Sequence, residues 1–391
     1  MPKTIFKPNQ KIVSTQLTNI CVTLMQRYLP LDLQNTRLTA EDVWFVLTYA
    51  ATQRQTIESA CADLPQAPSG NRLREVLLAA LPSPQELQRQ LNTILRKQLH
   101  PSLFKKTRPF QIALDLTLIP YHGQPHSDEK EIMRGEAKSG TTHFHGYATV
   151  SIVHDKRRYV LALTFVQLGE TMVTVARRLL DRVKRLKIKV RRLYCDAGFC
   201  NIPVLQMLER RQLAYIIPVP VRGKSGGIRE LFVGHSRFQT YTMSSAKHGS
   251  HTIRVGALRR HFRDKKGKRR VHWFIYALHR LPTTVTLMDV YNWYRRRFGI
   301  ETSYRQMNQV RARTTSRQPA LRLLLVGLAF ILVNLYVQLR FQLGVVAPGV
   351  SKQLVTQFLT LRRLALVISR AIEQQWGVLD TLRCYHQISF S

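Results

Sequence analysis

Phe110-Gln-Ile-Ala-Leu-Asp-Leu-Thr-Leu-Ile119 is the stretch around which the rest of the chain is organised. Ile112, Leu114, Leu116 and Leu118 alternate with Ala113, Asp115, Thr117 and Ile119, the period of two of a strand with both faces covered. Asp115 stands in the middle of this apolar run, where an uncompensated carboxylate costs several kcal/mol or takes up a proton. Downstream, strands are expected at 142–154 and 158–167, a very basic helix at 171–186 and a strand at 190–196. A helix at 202–211 and a strand at 213–219 follow. Pro218 and Pro220 put that last strand at an edge, or mark its end. Three strands, helix, strand, helix, strand describe an α/β protein with a mixed sheet flanked by helices.

Upstream, residues 1–105 read as a helical domain. Thr39 can cap a helix at 40–51, and Asp63-Leu-Pro-Gln-Ala-Pro-Ser-Gly70 breaks the pattern before a helix at 71–81. Ser83-Pro84-Gln85-Glu86 opens a further helix with a capping box and a proline at its first position. Short helices with tight breaks suit a helix-turn-helix-like DNA reader and equally a plain packing domain. Beyond the first sheet segment, residues 221–280 are rich in glycine and cations, with β-like runs at Phe238–Met243 and Val271–Tyr276. They read as a strand-rich insertion. A long helix at 286–310 follows, then helices near 321–340 and 352–375. The Leu323–Leu339 segment has an unbroken apolar run of only 11 residues, against about 20 for a membrane span. It reads as a helix buried against a sheet.

The chain of 391 residues carries 60 Lys and Arg against 23 Asp and Glu, a formal net charge of +37. With 45% hydrophobic residues it is expected to fold, and that much positive charge repels itself unless a polyanion neutralises it. Nucleic acid is the expected partner, ahead of an anionic membrane surface or a merely solvated one. Five scattered cysteines fit a reducing cytosol, and the N-terminus lacks the apolar core of a signal peptide. The Arg263-Asp-Lys-Lys-Gly-Lys-Arg-Arg270 tract reads as a phosphate clamp, through Lys265, Lys266, Lys268, Arg269 and Arg270, or as a solvated hairpin tip. His122, His126, His143 and His145 match no standard zinc spacing.

Tyr294, Arg297, Glu301, Arg305 and Asn308 recur at helical spacing and share one stripe of the long helix. Among so many cations an acid on that stripe needs a reason. Asp196 ends the strand Leu193-Tyr-Cys-Asp, and ligands of open α/β sheets gather at the carboxyl ends of strands. Asp115, Asp196 and Glu301 together would form an all-oxygen cluster suited to Mg²⁺ or Mn²⁺. Two such ions, about 3.5–4 Å apart, can activate a water or a 3′-hydroxyl for phosphodiester displacement without a protein nucleophile. Taken singly, Asp115 could be a buried ion-pair partner, Asp196 a turn former and Glu301 an intrahelical partner of Arg297 or Arg305.

This order of elements resembles the DDE transposases of insertion sequences, which have a ribonuclease H-like catalytic core. The stripe is similar to the signature of their YREK group, with Tyr294, Arg297 and Glu301 in place and Asn308 where the lysine stands; Arg305 could supply that charge. The resemblance covers about 105–345 and implies a core in two parts, 106–220 and 281–345, split by the insertion at 221–280. The helical 1–105 would be a DNA-binding domain and 346–391 a helical C-terminal region. It implies cut-and-paste transposition with two Mg²⁺ or Mn²⁺ ions held by Asp115, Asp196 and Glu301. Tyr294, Arg297, Arg305 and Asn308 would lie on DNA. It also implies a hairpin intermediate with a flipped base stacked on an aromatic, for which Trp273 is the candidate; a half-buried strand tryptophan is the other reading. The partners implied are double-stranded DNA, as terminal inverted repeats and target, and a second copy when two ends are synapsed. No membrane is expected; the setting is the cytoplasm, at the nucleoid. A related nuclease or resolvase without strand transfer, and a DNA-binding descendant that no longer cuts, stay open.

Overall fold

The computed structural model describes residues 13–33, 36–99, 109–123, 132–154, 157–264, 267–297, 299–343 and 359–380. Nine strands lie among them: β1 (Phe110–Tyr121), β2 (Ile132–Lys138), β3 (Thr141–His154), β4 (Arg157–Val166), β5 (Val190–Cys195), β6 (Tyr215–Pro218), β7 (Arg237–Ser245), β8 (Gly249–Arg263) and β9 (Arg269–His279). They form one sheet in the order β2-β3-β1-β5-β6-β9-β8-β7, with β4 also on β3. β4, β3 and β1 are antiparallel neighbours, whereas β1, β5 and β6 run parallel. Parallel neighbours need crossovers, and the helices Met172–Arg185 and Ile202–Arg210 provide them. This mixed sheet is the ribonuclease H-like arrangement.

Three features depart from the sequence reading. Residues 132–138, where no strand was expected, form β2, which shares one edge of β3 with β4. The insertion is a meander of three strands that lengthens the central sheet, because β9 pairs with β6 through Tyr215↔His279 to Pro218↔Tyr276. β6 is therefore interior, and Pro218 marks its end, where a missing N–H is tolerated. The helix expected over 286–310 is present as Leu287–Arg297 and Gly299–Gln309, on either side of residue 298, which lies outside the described residues.

Two compact units divide the chain, 95–305 and the combination of 1–94 with 306–391. In the first, the basic helix 172–185 covers the sheet face of Leu116, Ala148 and Thr164, which are in register, and Arg178 Nη1 donates to Thr164 Oγ1 at 2.8 Å. On the opposite face, that of Asp115 and Thr149, the helix 287–297 buries Val290, Tyr291 and Tyr294 with Ala113, Tyr194 and Ile216. Thr286 and Asp289 cap this helix reciprocally, through Asp289 N–H to Thr286 Oγ1 at 3.1 Å and Thr286 N–H to Asp289 Oδ2 at 3.0 Å.

The second unit is helical. Thr39 and Asp42 form the capping box that starts Ala40–Gln53, and Ser83 Oγ accepts from Glu86 N–H ahead of Pro84–Lys97. The helix Leu361–Trp376 packs on Ser14–Tyr28 and Ala40–Gln53, with Trp376 against Phe45 at 5.8 Å and Tyr49 Oη donating to Glu373 Oε1 at 3.0 Å. The apolar helix Pro319–Leu343 is long and apolar enough to cross a membrane, yet 89% of its most apolar window is buried within the protein. Its packing partners are helices, where a sheet was expected. A Cβ at Gly327 would lie 2.5 Å from Leu91 Cδ1, so a larger residue there would have to displace the Leu91 side chain.

Candidate active site

Asp115 is 5% exposed in the middle of β1, and its Oδ1 accepts the N–H of Leu116 at 2.9 Å. Asp196 follows the last residue of β5 in extended backbone and is half-buried, and its side chain makes no capping bond to the short turn Ala197–Phe199. Leu114 pairs with Cys195 on the last rung of the parallel ladder. Asp115 and Asp196 are therefore the residues that directly follow this last rung, on neighbouring segments whose strands lie about 4.8 Å apart. Two neighbouring carboxylates, one of them buried, raise each other's cost, and hard oxygen donors in that position fit a divalent cation. Cys200, four residues on, is no rival nucleophile: burial pushes its thiol up to about 12, against a smaller opposing pull from Arg222.

Two tyrosines from the helical segments fasten this corner. Tyr304 Oη donates to the backbone carbonyl of Asp115 at 3.0 Å and lies 2.8 Å from Thr149 Oγ1. Since the single phenolic proton is on the carbonyl, the Thr149 hydroxyl is the donor to Tyr304. Tyr294 Oη donates to the carbonyl of Cys195 at 3.3 Å, the residue before Asp196. Both bonds end on the backbone of a carboxylate-bearing strand. Tyr294 was expected on DNA; it is instead 5% exposed, with its ring 5.1 Å from that of Tyr276, and it braces the end of β5.

A third anchor lies farther down the same face. Arg192, Tyr194 and Asp196 alternate along β5, and Arg192 is 4% exposed. Its guanidinium sits 3.6 Å over the Trp293 ring and reaches Tyr194 Oη at 3.4 Å, while Tyr194 donates to Gln111 Oε1 at 2.8 Å. Sequence reasoning missed Tyr304, Thr149, Arg192 and Trp293. The signal available was the two-residue alternation leading to Asp196 and the three-residue step from Glu301 to Tyr304.

Of the remaining expected site residues, Glu301 and Arg297 lie in the helices 299–309 and 287–297, and their side chains are outside the described residues. Arg305 and Asn308 are exposed on the helix 299–309. Among the described residues no three His, Cys, Asp or Glu side chains form a metal cluster. Trp273 is half-buried on β9, stacked parallel to Phe232 at 6.0 Å. It lines a cleft of about 620 Å³ with His272, Tyr276, Tyr291, Tyr294 and Arg295. Tyr294 connects the two features, its ring on the cleft and its hydroxyl on the strand that carries Asp196. Lys268, Arg269 and Arg270 are exposed at the β8–β9 turn, and Lys265 and Lys266 lie outside the described residues.

No curated protein sequence matches the chain. Among solved structures it is similar to a cryo-EM structure of the piggyBac transposase synaptic complex with hairpin DNA. The TM-score is 0.52 and the identity 12%, with 95% of this chain and 83% of that one covered, a likeness of fold. A family model for the transposase DDE domain matches residues 108–335, the interval that holds both strand carboxylates and the helices packed over them. The chain therefore belongs to the DDE transposases, enzymes that cut and move DNA with divalent metal ions.

Proposed function

We propose that this chain mobilises an insertion sequence by a cut-and-paste route, as a member of the YREK group, acting on terminal inverted repeats and joining them to target DNA. The observation that carries the reading is that Asp115 and Asp196 each directly follow the last paired rung, Leu114↔Cys195, at the carboxyl end of β5, beneath the helices that contain Tyr294, Glu301 and Tyr304. Asp115, Asp196 and Glu301 would hold two Mg²⁺ or Mn²⁺ ions. Bound there, the ions would supply Lewis acidity at the scissile phosphate and a deprotonated water or 3′-hydroxyl.

The chain's own residues supply placement. Tyr304 and Tyr294 hold the middle of β1 and the end of β5 at fixed separation from the helices, so the carboxylates need little reorganisation when DNA arrives. Arg297, Arg305 and Asn308 would lie along the phosphates of the element end. Trp273, whose ring stacks on Phe232 on the face of β9 opposite Tyr276, is the candidate surface for a base displaced during hairpin formation, at about 1–3 kcal/mol per stacked base. The 1–105 helices would contribute to end recognition, and two copies would synapse two ends. We place this activity in the cytoplasm, at the nucleoid.

The test is cleavage of end-sequence duplex in Mg²⁺ or Mn²⁺. Asp115→Asn is expected to abolish nicking while DNA binding persists. An unmodified chain that binds but never nicks would reduce the protein to a DNA-binding descendant. Pre-cut ends that yield no strand-transfer product would make it a nuclease, and flanks that end open, with no covalently closed hairpin on a denaturing gel, would remove the hairpin route.

A further inference from the structure

The outer part of the β8–β9 hairpin is built differently from the rest of the sheet. β7 pairs with β8 only as far as Ala257, and β6 reaches β9 only from Tyr276 onward. The five rungs from Arg259↔Trp273 to Arg263↔Arg269 thus have no third strand among the described residues. They form a ribbon about 17 Å long. Eight of its ten residues are exposed, the exceptions being Arg260 and Trp273, so the alternation of buried and exposed positions stops here. A two-stranded ribbon wet on both faces has little core to hold it.

Register assigns its side chains to faces. Arg260, Phe262, Arg270 and His272 continue the sheet face that carries Asp115, Tyr194 and Tyr276, and Arg260 lies 4.6 Å over the Tyr291 ring on that side. Arg259, His261, Arg263 and Arg269 continue the opposite face. A clamp on the DNA being cut needs cations on the first face only. Moreover, Arg263 and Arg269 stand directly opposite each other across the strands, a like-charge pair that destabilises a ribbon unless an anion lies between them. Arg270, on the first face, already has Asp264 at 3.1 Å.

From these observations we infer that the ribbon is a two-faced arm that lies between two DNA duplexes, with the catalytic-side face on the segment being cut and Arg263 and Arg269 on a second. The inference rests on the DNA-acting reading above and adds a second duplex site to it. The test uses the full chain, a bead-bound end duplex and a fluorescent second duplex, and reads the ratio of second to first duplex retained. Arg263→Gln with Arg269→Gln is expected to lower that ratio about tenfold as phosphate contacts are lost. Arg263→Lys with Arg269→Lys, which keeps the charge, is expected to restore it, separating phosphate contact from damage to the ribbon. A ratio within about twofold of the unmodified chain overturns the arm, whether both duplexes are lost together, as for a one-duplex clamp, or neither, as for a solvated tip. Nicking that depends on Asp115 alongside an unchanged ratio would sink the arm alone; absence of any duplex binding would sink the DNA reading itself.

Discussion

At the scale of single residues, the hydroxyl of Tyr304 is the contact with the most to lose. It joins the backbone of Asp115 to the side chain of Thr149 on the next strand, both in buried surroundings. Tyr304→Phe leaves a carbonyl and a hydroxyl without this partner, at a cost of about 1–3 kcal/mol in unfolding free energy. Because the strand position of Asp115 depends on that bond, kcat for end cleavage is expected to fall with the KM for DNA unchanged, and Thr149→Val should add little to it. Denaturant melts and a kcat–KM split check this double-mutant cycle; full activity in Tyr304→Phe would make the bond incidental. Asp115 drew attention in the sequence, since an acid in an apolar alternating run stands out. Tyr304 did not, because a tyrosine three residues from an acid has no meaning until the strand it reaches is known.

Among the elements, the helix 287–297 depends on its first turn. Hydrogen bonds from the Thr286 side chain and backbone hold the Asp289 carboxyl below its usual 3.8. A folded value below the unfolded one means that the cap's contribution is complete above about pH 4 and is lost as the pH falls through the lower folded value. The stability difference between the unmodified chain and Asp289→Ala is therefore expected to be constant near neutrality and to shrink toward pH 2; a gap that stays constant to acid would show that the carboxylate form is not what caps the helix. The caps at Thr39 and Ser83 were legible for the same reason, that a cap is a local event between residues three apart. β2 and β8 were not legible as full strands, since their mixed polar sequences gain strand character only from pairing with β3 and β9.

For the molecule as a whole, the chain's two ends make one helical unit. Trp376, 7% exposed, closes the contact between the helix 361–376 and Phe45. Trp376→Ala is expected to destabilise the helical unit by about 3–5 kcal/mol, seen as an earlier melting transition while that of residues 95–305 stays in place; a shift of both together would mean that the units unfold as one. Sequence by itself determined the α/β class, the strand that bears Asp115, the helix starts and a charge that demands a polyanion, because periodicity, capping and composition are local or additive. Tertiary structure alone decided that Asp115 and Asp196 both follow the rung Leu114↔Cys195, that Tyr294 and Tyr304 hold their strands, and that the insertion lengthens the sheet into a ribbon. Those outcomes depend on register between strands distant in the chain. A slip of one residue would turn every such side chain to the other face, and no local pattern encodes which rung meets which.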